Sequence, residues 1–185
     1  GFLYGEFVDA EGRLLPGISY TLTSKDGESG GRIRDARDGR FEIRGLDTEV
    51  KWRLATCDRR YVTCYTDDLV ASESGTYMRV VLTPGLCLRV KVVDENQAPV
   101  SYADVQCESV AMGRTCRVAG RPTMATLQRN GSEWELFGLP EGPCQVYVKA
   151  MGLLPETVEV DVPLEGEPDG GTIEIALSFG HIASI

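Results

Sequence analysis

Two matching stretches decide the fold. Residues 39–46 read Gly-Arg-Phe-Glu-Ile-Arg-Gly-Leu, and residues 132–139, 93 positions further along, read Ser-Glu-Trp-Glu-Leu-Phe-Gly-Leu. Each stretch alternates polar and apolar side chains before it reaches Gly-Leu. Alternation with a period of two is typical of a strand that buries one face. Each stretch therefore predicts a strand, and the recurrence predicts that the chain contains the same unit twice.

The recurrence extends to the flanking sequence in the same order. A Val-Asp pair followed by a Pro precedes each stretch, and an apolar strand-like run follows it. The corresponding landmarks are Val8-Asp9 with Pro16 and Val93-Asp94 with Pro99 upstream, then residues 51–54 and 145–148, and residues 77–85 and 173–180 downstream.

The repeat length indicates two domains. A unit of roughly 90 residues is too long for a solenoid repeat and has the size of an independent β-sandwich. A strand-like run ends in turn residues at Pro84-Gly85. The sequence therefore predicts a first sandwich at 1–85 and a second at 86–185.

The same alternation continues through both copies. No stretch of 11 residues shows the apolar spacing of a helix, and Gly and Pro interrupt the strand-like runs. About seven strands per copy, each with one apolar face, must form two packed sheets, because one half-polar sheet cannot cover its own apolar side. The predicted fold class is all-β, with two tandem antiparallel β-sandwiches.

The order of these landmarks resembles a known family. A strand ending in Val8-Asp9, a turn, Pro16, a second strand and then the motif of residues 39–46 is similar to the carboxypeptidase regulatory-like, or transthyretin-like, β-sandwiches, which are related to Cna-B domains. The second copy departs from the pattern at Gln97, where a turn Gly is usual, and at Ser132. The resemblance implies an Ig-like or prealbumin-like sandwich of about seven strands in each copy.

Within the motif, the residue types suit structural roles. Gly45 and Gly138 precede a Leu where the chain is expected to turn from one sheet to the other, because Gly avoids crowding and accepts positive φ. Phe41 and Trp134 are expected to be core aromatic residues.

Composition excludes several classes of partner. The chain has 19 Lys and Arg against 28 Asp and Glu, a net charge of -9 that repels phosphate backbones and acidic lipid surfaces. No apolar run approaches the roughly 18 residues that span a membrane. We therefore expect no nucleic acid partner and no membrane insertion of this segment. The start lacks an initiator Met and a signal peptide, so we expect a longer parent protein with its targeting segment upstream.

The single histidine argues against catalysis. His181 is the only imidazole in 185 residues, and it is interpreted as a terminal residue and not as a ligand. The resemblance includes zinc carboxypeptidases, intradiol dioxygenases and hydroxyisourate hydrolases, all of which depend on several residues that include His. The chain also lacks Gly-x-Ser-x-Gly and phosphate-binding loops. The sequence predicts no enzymatic activity, no cofactor and no metal site.

Cna-type domains, to which the resemblance extends, contain an isopeptide bond. These domains cross-link a Lys on the first strand to an Asn or Asp on the last, with an assisting Glu. Lys91 lies on the first strand of the second copy, but Lys149 stands where that Glu would lie, and the last strand has no Asn. An isopeptide bond is therefore not expected.

Six cysteines suggest an oxidising compartment. They contain no Cys-x-x-Cys spacing, which argues against zinc and thioredoxin-like motifs. The first and second flank an expected hairpin turn at 58–60, the fourth and fifth flank another through Gly113, and this leaves the third with the sixth. A secreted domain is favoured, and buried free thiols in a reducing compartment are the alternative. The predicted disulfides are Cys57–Cys64, Cys107–Cys116 and Cys87–Cys144.

These features predict a non-catalytic structural or interaction module, a spacer, stalk or protein-binding unit of a larger exported or cell-envelope protein. Its location would be extracellular, periplasmic or at the cell surface, and its partners would be neighbouring domains of the parent chain or a protein or glycan ligand. The alternatives are a carbohydrate-binding module and an accessory domain of a neighbouring enzyme. The candidates for glycan binding are Tyr4, Tyr61, Tyr65, Tyr77 and Tyr102, and Tyr61, Tyr65 and Tyr102 are singled out as ligand candidates.

Overall fold

The structure is a computed structural model that describes residues 1–25, 30–111, 114–123, 127 and 131–179, with backbone only for 30–32, 110–111 and 114–118. Every named element in these residues is a β-strand, which confirms the predicted all-β class. Among them, no helix has the length and apolar character needed to cross a membrane. The chain divides into two compact units, Gly1–Pro84 and Gly85–Ile185.

The first unit contains seven described strands in two sheets. One sheet has the order β4-β1-β7 and the other has the order β3-β2-β5-β6. The strands are β1 (Phe2–Val8), β2 (Ile18–Ser24), β3 (Gly30–Ala36), β4 (Arg40–Arg44), β5 (Lys51–Thr56), β6 (Leu69–Val70) and β7 (Thr76–Val81).

The second unit repeats this arrangement and adds one short strand. Its sheets have the orders β11-β12-β8-β15 and β10-β9-β13-β14. The strands are β8 (Leu86–Asp94), β9 (Ala103–Ala111), β10 (Arg114–Ala119), β11 (Arg121–Pro122), β12 (Glu133–Leu139), β13 (Gly142–Ala150), β14 (Glu156–Val162) and β15 (Gly170–Leu177).

The two motif stretches form β4 and β12, which occupy the same place in their units. Each lies antiparallel to the first strand of its unit, β1 or β8. On the other side of that first strand lies the last strand of the unit, β7 or β15, and this pair is parallel. One pair in each sandwich thus departs from the predicted antiparallel pattern, because the chain returns from the second sheet before it forms the last strand.

An aromatic cluster joins the two sheets of the first unit. Phe7 on β1 and Phe41 on β4 come from one sheet, and Tyr20 on β2 comes from the other. The three ring centroids lie 5.1 to 5.5 Å apart with tilted planes, in the range of favourable aromatic contacts. Phe41 is therefore a core residue, as the motif predicts.

The core of the second unit is built mainly from aliphatic side chains around one tryptophan. Trp134 is 3% exposed and packs in a cluster with Val90 of its own sheet and Val105 and Val146 of the other. The predicted burial of Trp134 is confirmed.

Gly45 and Gly138 both have positive φ, 75° and 72°. Gly45 follows β4, and the chain then enters β5 in the other sheet. A Cβ at Gly45 would meet nothing within 4 Å, so the backbone conformation and not crowding favours glycine there. At Gly138 the pairing with β8 shifts register between Phe137 and Leu139, which makes a bulge before the chain leaves the sheet.

The second copy forms the same turn as the first, although Gln97 stands where the first copy has Gly12. In the first unit the Gly12 N–H donates to the Asp9 carbonyl, and in the second the Gln97 N–H donates to the Asp94 carbonyl, both at 3.0 Å. Gly12 has φ 82° and Gln97 has φ 64°, the one positive φ at a described residue other than glycine. Gln97 therefore carries a conformational cost that glycine avoids.

We expect Trp134→Ala to lower the free energy of unfolding by about 3 to 5 kcal/mol, because it removes a large buried side chain. Denaturant unfolding followed by far-ultraviolet circular dichroism measures the change. Tyr102→Ala is the matched control in the same unit, since that ring is exposed. Equal effects of the two substitutions would contradict the central role of Trp134 in the core.

We expect Gln97→Gly to raise the free energy of unfolding by up to about 1 kcal/mol, because relief of the positive φ exceeds the added entropy of the unfolded chain. Gln106→Gly on β9 is the control, and it should lower stability, since glycine weakens a strand. Thermal and denaturant unfolding report both variants. A loss of stability for Gln97→Gly would show that the turn does not depend on this φ.

Candidate functional site

The three tyrosine ligand candidates lie in different settings. Tyr61 and Tyr65 belong to the segment between β5 and β6 in the first unit, and Tyr102 precedes β9 in the second. Tyr61 is half-buried against the core, with the Arg60 guanidinium 5.4 Å from its ring centroid. Tyr65 and Tyr102 are exposed. Tyr61 therefore makes a packing contact, and ligand binding by Tyr61, Tyr65 or Tyr102 stays a prediction.

A different pair of tyrosines forms an aromatic surface. Tyr4 on β1 and Tyr77 on β7 lie opposite each other in the parallel register, with ring centroids 5.5 Å apart. Their side chains are 39% and 52% exposed. Phe2 lies 5.8 Å from Tyr4 and carries the Arg44 guanidinium over its ring. We call Phe2, Tyr4 and Tyr77 the tyrosine face.

Charged side chains border the tyrosine face. A groove of about 470 Å³ is lined by both tyrosines and by Glu6, Arg40 and Glu42, among others. Glu6 forms an ion pair with Arg79 at 3.4 Å. Partial desolvation, together with a hydrogen bond donated to Glu6, raises the pKa of the Tyr77 phenol. The groove therefore combines apolar ring surface with hydrogen-bonding groups of both charges.

A salt bridge anchors the segment that carries Tyr61. The Arg60 Nε and Nη2 donate to the two carboxylate oxygens of Asp58, at 2.9 and 2.8 Å. The same Nη2 donates to the carbonyl oxygens of Gly17 at 3.0 Å and Pro16 at 3.3 Å. The bonds to the two carbonyls join the segment to the turn before β2, and the bidentate contact with the largely buried Asp58 holds the Arg60 side chain in place. Sequence reasoning missed it, since the partners are carbonyl groups 43 and 44 positions away.

Lys91 contacts the last strand of its unit as an ion pair. Its Nζ donates to Glu174 Oε2 at 2.6 Å across the parallel pair of β8 and β15. Both side chains are partly exposed. An exposed pair of this kind contributes little to stability.

The cysteines occupy three kinds of position. Cys57, Cys87, Cys107 and Cys144 are free thiols, and the predicted disulfides stay predictions. Cys57 is exposed at the end of β5, and Cys64 is buried. The side chain of Cys116 lies outside the described residues.

Residues for metal or imidazole chemistry are not assembled in the described part of the chain. There, no group of three or more His, Cys, Asp or Glu side chains converges to hold a metal ion. His181 lies outside the described residues.

Known proteins were compared with the chain in three ways. A scan against protein-family models found no match. A search of the curated proteins also found no match. Among solved structures, the chain is similar to a streptococcal ancillary pilin, with 13% identity and a TM-score of 0.37 over 97% of this chain and 62% of that one.

Two further pilins show a similar likeness. The shaft pilin SpaA from Lactobacillus rhamnosus GG has 9% identity and a TM-score of 0.39 over 99% of this chain and 98% of that one. The minor pilin GBS52 from Streptococcus agalactiae has 10% identity and a TM-score of 0.35 over 100% of this chain and 98% of that one. With identities and TM-scores this low, the similarities carry no inference about function.

We expect Asp58→Asn to lower the free energy of unfolding at pH 7 and to have a progressively smaller effect as the pH falls below about 4. The hydrogen bond from Arg60 lowers the pKa of Asp58 in the folded protein. The stabilisation is therefore present above the unfolded pKa and is lost as the pH falls through the folded pKa. Urea unfolding across the pH range, with exposed Asp104→Asn as the control, measures this dependence. A pH-independent difference would indicate lost packing and not a lost charge.

Proposed function

We propose that this chain is a non-catalytic structural module, a spacer or stalk of two β-sandwich domains in a larger exported or cell-surface protein. The boundary between the two domains in the chain lies at Pro84-Gly85. The observation that supports the proposal is the parallel pairing of the first and last strands in each unit.

Parallel terminal strands place the two ends of a unit apart. In the first unit, β1 and β7 run side by side from Leu3 opposite Thr76 to Val8 opposite Val81. The chain therefore enters the unit at one end of this pair and leaves it at the other, about 17 Å away for a six-residue register. The second unit has the same arrangement between β8 and β15.

This geometry suits a unit that transmits tension. A pull on the two ends of the unit acts along β1 and β7 in opposite directions. The hydrogen bonds between them are then loaded together and not one after another. A spacer that holds other domains at a distance needs this property, and a catalyst does not.

Two self-contained cores favour the same role. The buried residues form one cluster within each unit, and each cluster draws on both sheets of its unit. The interior is thus occupied by packed side chains, which stabilise shape. Function is expected at the surfaces and at the ends of each unit.

We expect the first unit to unfold at higher force when it is pulled through residues 1 and 84 than through residues 1 and 74. The first geometry shears the β1–β7 pair, whereas the second separates neighbouring strand ends and opens the pair stepwise. Single-molecule force spectroscopy on the full chain, with attachment points at these positions, provides the comparison. Equal forces in the two geometries would remove the mechanical argument. Surface labelling of cells that express the parent protein tests export separately.

A carbohydrate-binding role is the second candidate, and the tyrosine face is the observation that favours it. Exposed rings stack on the apolar faces of sugars, while bordering carboxylates and guanidinium groups accept and donate hydrogen bonds. Among the candidate tyrosines, Tyr4 and Tyr77 share one exposed aromatic surface.

Under this second role, we expect soluble polysaccharides to change the intrinsic fluorescence of the chain, and Tyr4→Ala with Tyr77→Ala to reduce the apparent affinity at least tenfold. Loss of two stacking rings accounts for this size, at about 1.4 kcal/mol per tenfold. Tyr147→Ala is the control, since it removes an exposed tyrosine of the other unit that is not a ligand candidate. If no polysaccharide changes the fluorescence, or if all variants lose the same affinity, the carbohydrate-binding role is rejected and the spacer role is the one that stands.

A further inference from the structure

Cys107 and Cys144 lie next to each other in the interior of the second unit. They belong to the neighbouring antiparallel strands β9 and β13, where Cys107 is opposite Val146 and Cys144 is opposite Ser109. The two cysteines are therefore diagonal neighbours on one face of the sheet. They are 0% and 4% exposed, which places both side chains on the inner face.

The two thiols lie near each other on this inner face. The neighbouring Cys144 thiol, together with burial, raises the pKa of the Cys107 thiol. The neighbouring Cys107 thiol lowers the pKa of the Cys144 thiol, so Cys144 is the thiol that ionises first. A disulfide brings the two Cβ atoms to about 4 Å, closer than diagonal neighbours usually lie, so its formation involves a local shift of β9 and β13 as well as of the two side chains.

Cys87, the other cysteine side chain described in this unit, lies elsewhere. It belongs to β8 in the opposite sheet, where it alternates with the core residues Leu86 and Leu88 and has Glu135 and Arg89 as charged neighbours. Its side chain therefore points away from the core, whereas that of Cys144 points into it. Cys87 and Cys144, which the sequence pattern pairs because they are the two cysteines left over, therefore lie apart.

We propose that Cys107 and Cys144 form a disulfide that joins β9 to β13 when the protein meets an oxidising environment. This pairing replaces Cys107–Cys116 and Cys87–Cys144, and its formation in the cell rests on the proposed export. The bond joins the two central strands of the sheet β10-β9-β13-β14. It therefore fixes the contact between strands that are 37 positions apart in the sequence.

The oxidant is a small-molecule disulfide such as oxidised glutathione. The Cys144 thiolate attacks one sulfur of that disulfide, which releases one thiol and forms a mixed disulfide. Cys107 then loses its proton and displaces the second thiol as the Cys107–Cys144 bond forms. Two protein thiols are oxidised, and one external disulfide is reduced to two thiols. Because both cysteines are buried, the exchange occurs before the core closes or when the strands open locally.

The sequence provides a direct test of this pairing. Cleavage after Lys and Arg places every cysteine in a separate peptide, so a linked pair of peptides identifies the bond. The peptides are 54–59, 61–79, 80–89, 92–114, 115–117 and 130–149, which contain Cys57, Cys64, Cys87, Cys107, Cys116 and Cys144 respectively.

The full chain is refolded in a mixture of oxidised and reduced glutathione, remaining thiols are alkylated, and tryptic peptides are analysed by mass spectrometry without reductant. We expect peptide 92–114 linked to peptide 130–149. Linkage of 92–114 to 115–117, linkage of 80–89 to 130–149, or separate alkylated peptides throughout would overturn the proposal. The result does not depend on export, so it can fail or succeed independently of the proposed function.

A stability comparison provides the second measurement. Oxidation should raise the thermal midpoint of the wild-type chain, and a reductant should reverse the shift. The double variant Cys107→Ala with Cys144→Ala should lose this response, whereas Cys57→Ala with Cys87→Ala should keep it. A response that survives the first pair of substitutions would assign the stabilising bond to other cysteines. The peptide map of the wild-type chain decides the matter if the first variant fails to fold.

Discussion

Each unit depends on packing one face of each of its two sheets against the other. The strands alternate because the buried face must exclude water while the outer face remains hydrated. In the first unit the contact between sheets centres on Phe7, Tyr20 and Phe41, and in the second it surrounds Trp134. Packed side chains therefore fill the interior of each unit. Binding is expected at surface features, such as the tyrosine face and the ends of the strands.

Local pattern predicts the strands and the fold class because burial acts on each strand separately. The alternation in residues 39–46 and 132–139 predicts the strands β4 and β12. The glycines at 45 and 138 mark the positions where regular strand pairing ends. Gln97 shows a limit of such reasoning. It lacks the expected residue type, yet the hydrogen bonds of the turn hold it in the same conformation as Gly12.

Contacts between distant segments are harder to predict from the sequence, since they depend on strand register and strand order. The Asp58 and Arg60 anchor joins a loop to carbonyl groups in the turn before β2, and a carbonyl has no sequence signature. Proximity in sequence pairs Cys107 with Cys116 and leaves Cys87 for Cys144. The pairing of β13 with β9 instead places Cys144 beside Cys107. The alternation of β8 already argues against the pairing of Cys87 with Cys144, because Cys87 lies between Leu86 and Leu88 and therefore faces outward. The tyrosine face likewise needed the parallel register of β1 and β7.

The thiol pair lies beside a polar residue on the buried face of the second unit. Ser109 is opposite Cys144 in the register, and its buried hydroxyl has no hydrogen-bond partner among the described residues, which costs about 1 to 3 kcal/mol. Cysteine and serine also bury less apolar area than the valines and leucines of β8 and β12. A covalent link acts mainly on the unfolded chain and requires no apolar area. It therefore stabilises this patch of the sheet by a route that packing alone does not provide there.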